Sequence, residues 1–515
     1  MYPGKFAALT PDKAAVVMSD TGAVLTYAEL DERSIRLSRV LWDAGLRPGD
    51  DVALLAENSL RTYEVFWAAM RSGLYLTAIN FHLHRDEISY IVEDCGAKAL
   101  IVSSAMADTA TAIAAATPDV ELRLSFGDAP VAGHGDYEAA LAAASAEPLP
   151  EQPRGRDMLY SSGTTGRPKG VKAPLPGVPV TEGGDILLGL FGPLYGFADD
   201  TVYLSPAPLY HAAPLRFGGM IHQVGGTVVV MPRFEPGAAL AAIERHRVTH
   251  SQWVPTMFVR MLKLPADVRT RYDLSSLRVA VHAAAPCPAE VKRQMIDWWG
   301  PILAEYYAAT EAIGLTVIDS PTWLSKPGSV GRALLGVVHV CGDDGQELPA
   351  GEVGLIYFER DAFPFTYHND PDKTSAAAHT GHPTWATTGD VGYVDEDGFL
   401  FLTDRKSFMI ISGGVNIYPQ EIENALALHP AVLDLAVIGI PDPEMGEQVK
   451  AVVQPSPDAV PGPELEAELL QFLRDRIAGY KVPRSIDFST DLPRTETGKL
   501  QKHKLRDRYT APAAR

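Results

Sequence analysis

The stretch SSGTTGRPKG, Ser161 to Gly170, contains three glycines, four hydroxyl side chains, one proline and two basic residues. This composition does not pack a core, and it is typical of a turn or of a loop that binds an anion through backbone N–H groups. The preceding residues predict a strand that ends near Tyr160. A Walker A loop is excluded, because Lys169 is followed by glycine and Pro168 breaks the expected helix start.

Helix and strand signals alternate on the N-terminal side of this loop. Thr26 and Glu29 have the spacing of a capping box and open a helix that ends at Gly45. DVALLAEN (51–58) and KALIVSS (98–104) predict short buried strands, with a helix between them. This alternation predicts an α/β fold with largely parallel sheets flanked by helices.

The pattern changes twice in the second half of the chain. Residues 342–359 and 389–406 combine Asp-Gly turns with alternating apolar residues, which predicts hairpins of a small β-rich subdomain. After Asp404, strands and amphipathic helices predict a small α+β unit. We therefore predict a large N-terminal domain (1–403), a hinge (404–407) and a small mobile C-terminal domain (408–515).

Composition narrows the class of partner and the compartment. The 515 residues carry 45 basic and 64 acidic side chains, a net charge of −19, which disfavours nucleic acid. The sequence has no uninterrupted apolar run of about 18 residues, so it predicts no transmembrane helix. The widely separated Cys95, Cys287 and Cys341 predict neither a disulfide framework nor a metal site, and they favour the cytoplasm.

Five further motifs follow the loop in a fixed order. They are PLYHAAP (208–214), EYYAATE (305–311), TTGD (387–390), DRKSFMIISGG (404–414) and PRTETGK (493–499). With SSGTTGRPKG, this set resembles the adenylate-forming enzymes, which include acyl- and aryl-CoA synthetases, luciferases and peptide-synthetase adenylation domains. The resemblance extends from Thr26 to Lys502.

The resemblance implies that a carboxylate attacks the α-phosphate of ATP and releases pyrophosphate. In that reaction Glu311 would bind Mg²⁺ together with Thr165, Thr310 would bind the α-phosphate, and Lys499 would bridge the substrate carboxylate and the nucleotide. The other implied nucleotide-binding residues are Ser161, Ser162, Gly163, Thr164, Thr165, Gly166 and Lys169 for the departing phosphates, Tyr307, Ala283 and Ala284 for adenine, and Asp390 and Arg405. Asp390 suits the ribose, because one carboxylate can accept from two adjacent hydroxyls.

The resemblance also implies a second step, in which the thiol of coenzyme A attacks the acyl carbon and AMP leaves. For that step the C-terminal domain would rotate about Ser407, so that Lys499 leaves and the Gly413–Gly414 turn enters to line the pantetheine tunnel. His211 has two readings, as a gate of the thiol channel or as a contact of the substrate carboxylate.

Three positions depart from the family pattern. Ser407 stands where the hinge is usually Asp or Lys, and Ala308 replaces the glycine of the usual YGxTE motif. The segment AAAP (283–286) replaces a Gly-Gly-Ala segment. Each added methyl group slightly reduces the space for adenine or for the acyl group. We expect these changes to alter substrate fit more than adenylation.

Most residues predicted to line the acyl pocket are apolar or small. They are His211, Trp253, Met257, Ala284, Ile313 and Gly314. No aspartate stands near His211 or Trp253 to hold an ammonium group, and no carrier domain follows Lys502, which argues against a peptide-synthetase module. Arg216 is expected to be a surface residue, with contact to a second carboxylate or polar group of the acid as the alternative. Lys502 and Lys504 are expected to be solvated.

These observations predict an ATP-dependent acid–CoA ligase that acts on a fatty or ring-bearing carboxylic acid, with a role in fatty acid metabolism. Three alternatives stay open. The first is an aryl-CoA ligase, the second is a fatty acyl-AMP ligase that loads a carrier protein, and the third is a catalytically silent nucleotide-binding regulator. The predicted ligands are ATP, Mg²⁺, coenzyme A and the acid, and a homodimer is left open.

Overall fold

The computed structural model describes residues 2–161, 168–182, 185–494 and 500–510. The chain forms two compact units. The first contains Met1–Gln252, Thr270–Val279 and Phe365–Ser375, and the second contains Trp253–Arg269, Ala280–Pro364 and Ala376–Arg515.

The strands within the described residues are β1 (Ala14–Met18), β2 (Val24–Thr26), β3 (Asp51–Leu55), β4 (Tyr75–Ala78), β5 (Ala97–Ser103), β6 (Leu122–Phe126), β7 (Gly135–Asp136), β8 (Arg156–Asp157), β9 (Leu159–Ser161), β10 (Lys169–Lys172), β11 (Val202–Ser205), β12 (Thr227–Val230), β13 (His250–Trp253), β14 (Val279–His282), β15 (Leu303–Ala308), β16 (Leu315–Asp319), β17 (Ser329–Leu335), β18 (Val337–Cys341), β19 (Gly354–Glu359), β20 (Thr366–Tyr367), β21 (Trp385–Ala386), β22 (Asp390–Val394), β23 (Leu400–Arg405), β24 (Ile410–Ser412), β25 (Val415–Ile417), β26 (Val432–Asp442), β27 (Gly446–Pro455) and β28 (Ser485–Phe488).

The α-helices within the same ranges are α1 (Pro3–Leu9), α2 (Tyr27–Asp43), α3 (Arg61–Met70), α4 (Arg85–Asp94), α5 (Ala107–Ile113), α6 (Tyr137–Ala143), α7 (Ile186–Tyr195), α8 (Ala212–Val224), α9 (Pro236–His246), α10 (Pro255–Leu262), α11 (Ala266–Arg269), α12 (Ala289–Trp299), α13 (Ser320–Ser325), α14 (Pro371–Ala376), α15 (Pro419–Leu426), α16 (Pro463–Arg474) and α17 (Lys502–Thr510).

The first unit contains the parallel sheets that the alternating pattern predicts. One sheet has the order β7-β6-β5-β3-β4-β8, and all its pairings are parallel. A second group of strands runs β13-β11-β12-β1, also parallel, and β2 adds an antiparallel edge. The buried faces of β3 and β5 pack against helices α4 and α5, which confirms the α/β prediction.

Helix α2 begins where the capping box predicts. Thr26 Oγ1 accepts from the backbone N–H of Glu29 at 3.2 Å, and the Glu29 carboxylate accepts from the N–H of Thr26 at 2.8 Å. These two bonds satisfy backbone donors that the first turn of a helix leaves without partners. Leu37 on this helix is fully buried, and Gly45 adopts a φ of 98° shortly after the helix ends.

The second unit is richer in antiparallel strands. The pair β14 and β15 is parallel, and the sheet then continues through β16, β17, β23, β22, β19 and β18 with antiparallel neighbours. The pair β22–β23 is the hairpin predicted for residues 389–406. Of the pair β18–β19, only β19 and the connection before it lie in the predicted residues 342–359, and the first strand of this hairpin precedes them.

The last part of the second unit has a sheet of its own, with the order β25-β24-β27-β26 and with β28 parallel to β27. Side chains of β26 alternate between two cores, as a strand with both faces covered requires. Leu435 and Val437 pack with helices α15 and α16, whereas Ala436 and Ile438 pack against Leu505 of α17.

In the described ranges, no helix combines the length and the apolar character needed to cross a bilayer. The three cysteines carry free thiols, as the sequence predicts.

Candidate active site

The SSGTTGRPKG stretch joins two antiparallel strands in the first unit. Strand β9 ends at Ser161 and β10 begins at Lys169, and these two residues are paired across the ladder. A strand therefore follows the segment, where a Walker A loop would require a helix, and this confirms the exclusion made from the sequence. The Lys169 ammonium lies 4.9 Å from the ring centre of Tyr367. The predicted ligands Ser162 to Gly166, with Thr165 among them, lie outside the described residues.

Four side chains of the second unit converge at the start of β22, and we call them the Asp390 cluster: Tyr307, Thr388, Asp390 and Arg405. The hydroxyls of Tyr307 and Thr388 donate to Asp390 Oδ2 at 2.7 and 3.0 Å. Arg405 Nε lies 3.1 Å from Asp390 Oδ1. The structure therefore brings together Tyr307, Asp390 and Arg405 from three separate motifs, and it adds Thr388, whose role the sequence analysis missed although it lies in TTGD.

Burial and the neighbouring charges keep the Tyr307 hydroxyl protonated and the Arg405 guanidinium charged. Burial and the Asp390 carboxylate raise the pKa of Tyr307 well above its ordinary value, so its hydroxyl stays a donor. Burial alone would lower the pKa of Arg405, but the charges of Asp390, Tyr307 and Glu311 raise it above its ordinary value. Arg405 therefore stays charged, and it is close enough to Glu311 for the two opposite charges to attract each other.

The donors around Asp390 leave limited room for a ligand. A carboxylate offers about two acceptor positions on each oxygen. Oδ2 already accepts from Tyr307 and Thr388, whereas within the described residues Oδ1 accepts only from Arg405. One ribose hydroxyl can therefore bind at Oδ1 directly. The predicted contact with two adjacent hydroxyls requires Tyr307 or Thr388 to release Oδ2.

Thr310 and Glu311 lie in the turn that follows β15. The Glu311 side chain is buried, with 8% of its surface exposed, and Thr310 is half-buried. Magnesium typically uses one or two protein carboxylates and completes its shell with phosphate oxygens and water, so a single buried carboxylate fits this role. No group of three or more His, Cys, Asp or Glu side chains in the described part of the chain forms a metal-binding set.

Two alanines near these motifs adopt left-handed backbone conformations. Ala284 has a φ of 74° and Ala312 a φ of 53°. Residues other than glycine rarely adopt positive φ, and such residues concentrate at functional sites. Ala284 lies in the segment AAAP (283–286), which replaces a Gly-Gly-Ala segment of the family pattern. An alanine with this φ adds backbone strain as well as a methyl group. Ala283, its neighbour, is buried and has no positive φ.

Most predicted acyl-pocket residues of the second unit are tightly packed, whereas Ala284 is exposed. Trp253 and Met257 are 1% and 3% exposed, and the Trp253 ring lies 5.4 Å from that of Trp299 in an edge-to-face contact. Ile313 is also buried. A Cβ added at Gly314 would lie 1.9 Å from the Phe358 ring, so only glycine fits there.

His211 belongs to the first unit and is the N-cap residue of α8. Its ring lies 4.4 Å from that of Tyr210, and the residue is half-buried. Neither of the two readings made from the sequence, channel gate or carboxylate contact, is tested by this placement, and both stay predictions.

The predicted hinge lies in a short turn after β23. Ser407 is exposed, and its neighbour Lys406 forms an ion pair with Asp343 at 2.8 Å. Asp404, which the sequence analysis did not single out as a contact, accepts from the backbone N–H of Gln420 at 3.1 Å. That bond satisfies a donor at the start of α15 and joins the first residue of the predicted hinge to the residues that follow it.

Gly413 and Gly414 form the two-residue turn between β24 and β25. Their φ angles are 58° and 79°, the left-handed values that a tight hairpin turn of this kind requires. The N–H of Gly413 donates to the carbonyl of Met445 at 2.8 Å, so the turn is attached to the neighbouring β26–β27 connection.

Two expectations about basic residues are wrong. Arg216 is not a free surface residue, because its guanidinium donates at 2.7 Å to Asp157, whose side chain is 11% exposed. Lys502 is not solvated, since it is 6% exposed and lies 2.9 Å from Glu423 Oε1. Both partners are distant in sequence, which is why the sequence analysis could not detect them. Lys504 is exposed, as expected, and Lys499 lies outside the described residues.

Two family models match the chain. The model of the AMP-binding enzyme matches residues 5–364, and the model of the AMP-binding enzyme C-terminal domain matches residues 421–499. A feruloyl-CoA synthase of Amycolatopsis sp is 38% identical, over 99% of this chain and 98% of that protein. The long-chain fatty acid–CoA ligase FadD13 of Mycobacterium tuberculosis is 33% identical, over 98% and 97%.

A solved structure is similar over nearly the whole length. The anthranilate CoA ligase AuaEII in complex with anthranoyl-AMP gives a TM-score of 0.85 at 27% identity, over 98% of this chain and 96% of that one. The fold, the Asp390 cluster and these matches define an adenylate-forming enzyme. The chain belongs to the AMP-binding enzyme family. Within that family it is an acyl-CoA synthetase, an AMP-forming acid–thiol ligase.

Proposed function

We propose that this ligase activates a hydrophobic, ring-bearing carboxylic acid with ATP and transfers the acyl group to coenzyme A. The observation that carries the nucleotide half is the half-buried Asp390 cluster, whose buried carboxylate keeps an acceptor position at Oδ1. The likeness to a feruloyl-CoA synthase and to an anthranilate CoA ligase supports an acid with a ring. The aromatic side chains of Trp253 and Trp299 beside the predicted pocket support the same choice.

In the first half-reaction a carboxylate oxygen of the acid attacks the α-phosphorus of ATP. The bond between the α-phosphorus and the bridging oxygen breaks, and pyrophosphate leaves with the electron pair. Two anions must approach each other, so the reaction requires positive charge. We assign that charge to Lys169, Arg405 and Lys499. Glu311 and Thr165 are the residues that would hold Mg²⁺, which neutralises the phosphates when bound.

In the second half-reaction the thiol sulfur attacks the acyl carbon. The bond between that carbon and the phosphate oxygen breaks, AMP leaves, and the thiol proton passes to solvent. We propose that residues 408–515 move about Ser407 between the two steps. The separate sheet and core of strands β24 to β28 support movement as a unit. The small side chain of Ser407 and the Gly413–Gly414 turn suit the dihedral changes and the close approach of a thiol arm.

A second candidate keeps the adenylation step and changes the acceptor to a carrier protein. A fatty acid–[acyl-carrier-protein] ligase, ScoC of Streptomyces coeruleorubidus, is 32% identical over 96% of this chain and 93% of that protein. This likeness favours the candidate enough to include a carrier protein in the assay. The three free thiols support the cytoplasm as the compartment, and a homodimer stays a prediction.

The test is an assay of AMP and pyrophosphate release with a panel of acids, namely cinnamic, aryl-acetic, aminobenzoic, medium-chain and long-chain. Each acid is measured without acceptor, with coenzyme A and with an acyl carrier protein. We expect CoA-dependent AMP release to be fastest with a ring-bearing acid. AMP release that depends on the carrier protein alone would support the second candidate, and a panel with no acid-dependent release would refute the ligase assignment.

A further inference from the structure

Three charged side chains meet beside the proposed hinge, and we call them the Lys502 cluster: Asp404, Glu423 and Lys502. The Lys502 ammonium lies 2.9 Å from Glu423 Oε1, and the two side chains are 7% and 12% exposed. It also lies 5.3 Å from the ring centre of Phe408, the residue after Ser407. Burial raises the pKa of Asp404, the charge of Lys502 opposes that shift, and the charge of Glu423 adds to it. The three charges are therefore close enough to interact, and water screens them only in part.

Backbone donors fix the two carboxylates of the cluster. Glu423 Oε1 accepts from the N–H of Val437 at 2.8 Å, which attaches α15 to β26. Asp404 Oδ2 accepts from the N–H of Gln420, also on α15, at 3.1 Å. These bonds limit how far either carboxylate can move away from the other. A change of charge at Lys502 therefore acts on two negative charges whose positions the backbone has set.

The members of the cluster lie on different sides of Ser407 in the chain. Asp404 precedes Ser407, whereas Glu423 and Lys502 follow it. A rotation about Ser407 would separate Asp404 from the other two and leave Lys502 paired with Glu423. In the docked arrangement, in which Asp404 contacts α15, Lys502 attracts Asp404 and offsets the repulsion between the two carboxylates.

We propose that Lys502 is a positioning residue that acts through Asp404 and sets how much of the enzyme occupies the docked arrangement. The inference rests on the proposed function, because it requires a rotation about Ser407 between the two half-reactions. A change in the populations of two arrangements changes the ratio of the rates of the steps that use them. Loss of the Lys502 charge leaves two carboxylates that repel each other, which disfavours docking. Loss of the Glu423 charge leaves Lys502 with Asp404 alone, which favours docking.

The test compares Lys502→Met and Glu423→Gln, which nearly keep the size of the side chain and remove one charge each. Trypsin cleavage after Lys406 reports loss of docking, because the turn at Lys406–Phe408 must open before a protease can bind it. We expect cleavage to be about 3- to 10-fold faster than in the parent chain for Lys502→Met, and slower by a similar factor for Glu423→Gln. Lys502→Met combined with Asp404→Asn should be cleaved more slowly than Lys502→Met, because the repulsion is gone.

The same variants are then compared in the two half-reactions. These are single-turnover formation of acyl-adenylate and conversion of a supplied, synthetic acyl-adenylate to acyl-CoA. The ratio of the two rates should move in opposite directions for Lys502→Met and Glu423→Gln. A merely structural role would lower stability in both variants and would move both measurements in the same direction.

Lys504→Ala is the matched control, because Lys504 is exposed on the same helix, α17. It should leave cleavage and both half-reactions unchanged. Shifts of cleavage in the same direction for Lys502→Met and Glu423→Gln, or a rate ratio at the parent value in both, would overturn the proposal. If Lys502→Met does not fold, Glu423→Gln decides alone, and cleavage at or above the parent rate overturns the proposal. A parent chain that adenylates no acid would refute the proposed function instead, whereas the trypsin measurement would still decide the role of Lys502.

Discussion

The hydroxyl of Tyr307 donates a hydrogen bond to Oδ2 of Asp390 across 2.7 Å, although the two residues are 83 positions apart. This bond orients the carboxylate so that Oδ1 faces away with an acceptor position free of Tyr307 and Thr388. We therefore expect Asp390→Ala to raise the KM for ATP by about 10- to 100-fold, as expected for the loss of a charged hydrogen-bond acceptor. Tyr307→Phe should raise it by less than about fivefold, because the carboxylate remains and Thr388 still holds it. Equal effects of the two variants would contradict the orientation argument, and steady-state kinetics with varied ATP measure both.

Lys499 should matter for one half-reaction only. We expect Lys499→Ala to slow acyl-adenylate formation by about 10²–10³-fold, since a positive charge is removed where negative charge develops. Conversion of a supplied acyl-adenylate to acyl-CoA should continue near the parent rate. The matched control is Lys504→Ala, because Lys504 is exposed on α17 and close in sequence. If adenylation by Lys499→Ala keeps its full rate, the assignment of this lysine is wrong.

Ala284 carries backbone strain that glycine would relieve. Its φ of 74° disfavours any residue with a Cβ, whereas glycine adopts this value freely. Ala284→Gly is expected to raise the free energy of unfolding by up to about 1 kcal/mol in urea denaturation. The neighbouring Ala283→Gly should lower it by about 0.5–1 kcal/mol, because Ala283 is not strained and glycine costs more chain entropy. Loss of stability in Ala284→Gly would contradict the strain.

Asp51 should make the fold less stable as pH rises. Burial raises the pKa of Asp51 to about 7 from 3.8, although Thr77 donates to its carboxyl at 2.7 Å. Between these two values the unfolded chain has lost this proton and the folded chain keeps it, so the contribution of Asp51 to stability falls with rising pH. The difference between the folded and unfolded pKa values of Asp51 corresponds to a destabilisation of the fold by roughly 4 kcal/mol at pH 8. Asp51→Asn should therefore be more stable than the parent at pH 8, with a difference that shrinks toward pH 5.

Asp157→Asn is expected to change the free energy of unfolding at pH 8 in the opposite direction from Asp51→Asn. Burial alone would raise the pKa of Asp157, but the Arg216 guanidinium holds it below its ordinary value. A carboxyl with a lowered pKa stabilises the fold above its unfolded pKa and loses that effect as pH falls. Asp157→Asn should thus be less stable than the parent at pH 8. Urea denaturation at several pH values measures both variants, and the same direction for both would contradict the two assignments.

Arg216 should be essential for stability, whatever its role in binding the acid. The side chains of Arg216 and Asp157 are 22% and 11% exposed, so water partly solvates a charge left without its partner, and the cost should be about 1–3 kcal/mol, less than for a fully buried pair. We expect Arg216→Ala to lower the free energy of unfolding by about that amount, measured by urea denaturation at pH 8. Replacing both partners, as in Arg216→Met with Asp157→Leu, should restore most of the loss. A single variant with unchanged stability would contradict the importance of the pair.

Local signals predicted much of the fold. The capping box at Thr26 and Glu29, the Asp-Gly hairpin at 389–406 and the two glycines at 413–414 each specify a backbone geometry within a few residues, and the structure has them. The sequence could not predict the pairs Arg216–Asp157 and Lys502–Glu423, which join side chains 59 and 79 positions apart. Nor could it detect that Ala284 is strained, because strain depends on how the surrounding strands hold the backbone.

The sequence by itself determined the class of chemistry. The set of motifs and their order resemble those of the adenylate-forming enzymes, and the glycine after Lys169 excluded a Walker-type nucleotide site. Only the tertiary structure decided which polar atoms remain available. A carboxylate in the sequence has four acceptor positions, and Asp390 has lost three of them to Tyr307, Thr388 and Arg405. The physical reason is that hydrogen bonds and ion pairs depend on distances of a few ångströms, which the fold sets between residues far apart in the chain.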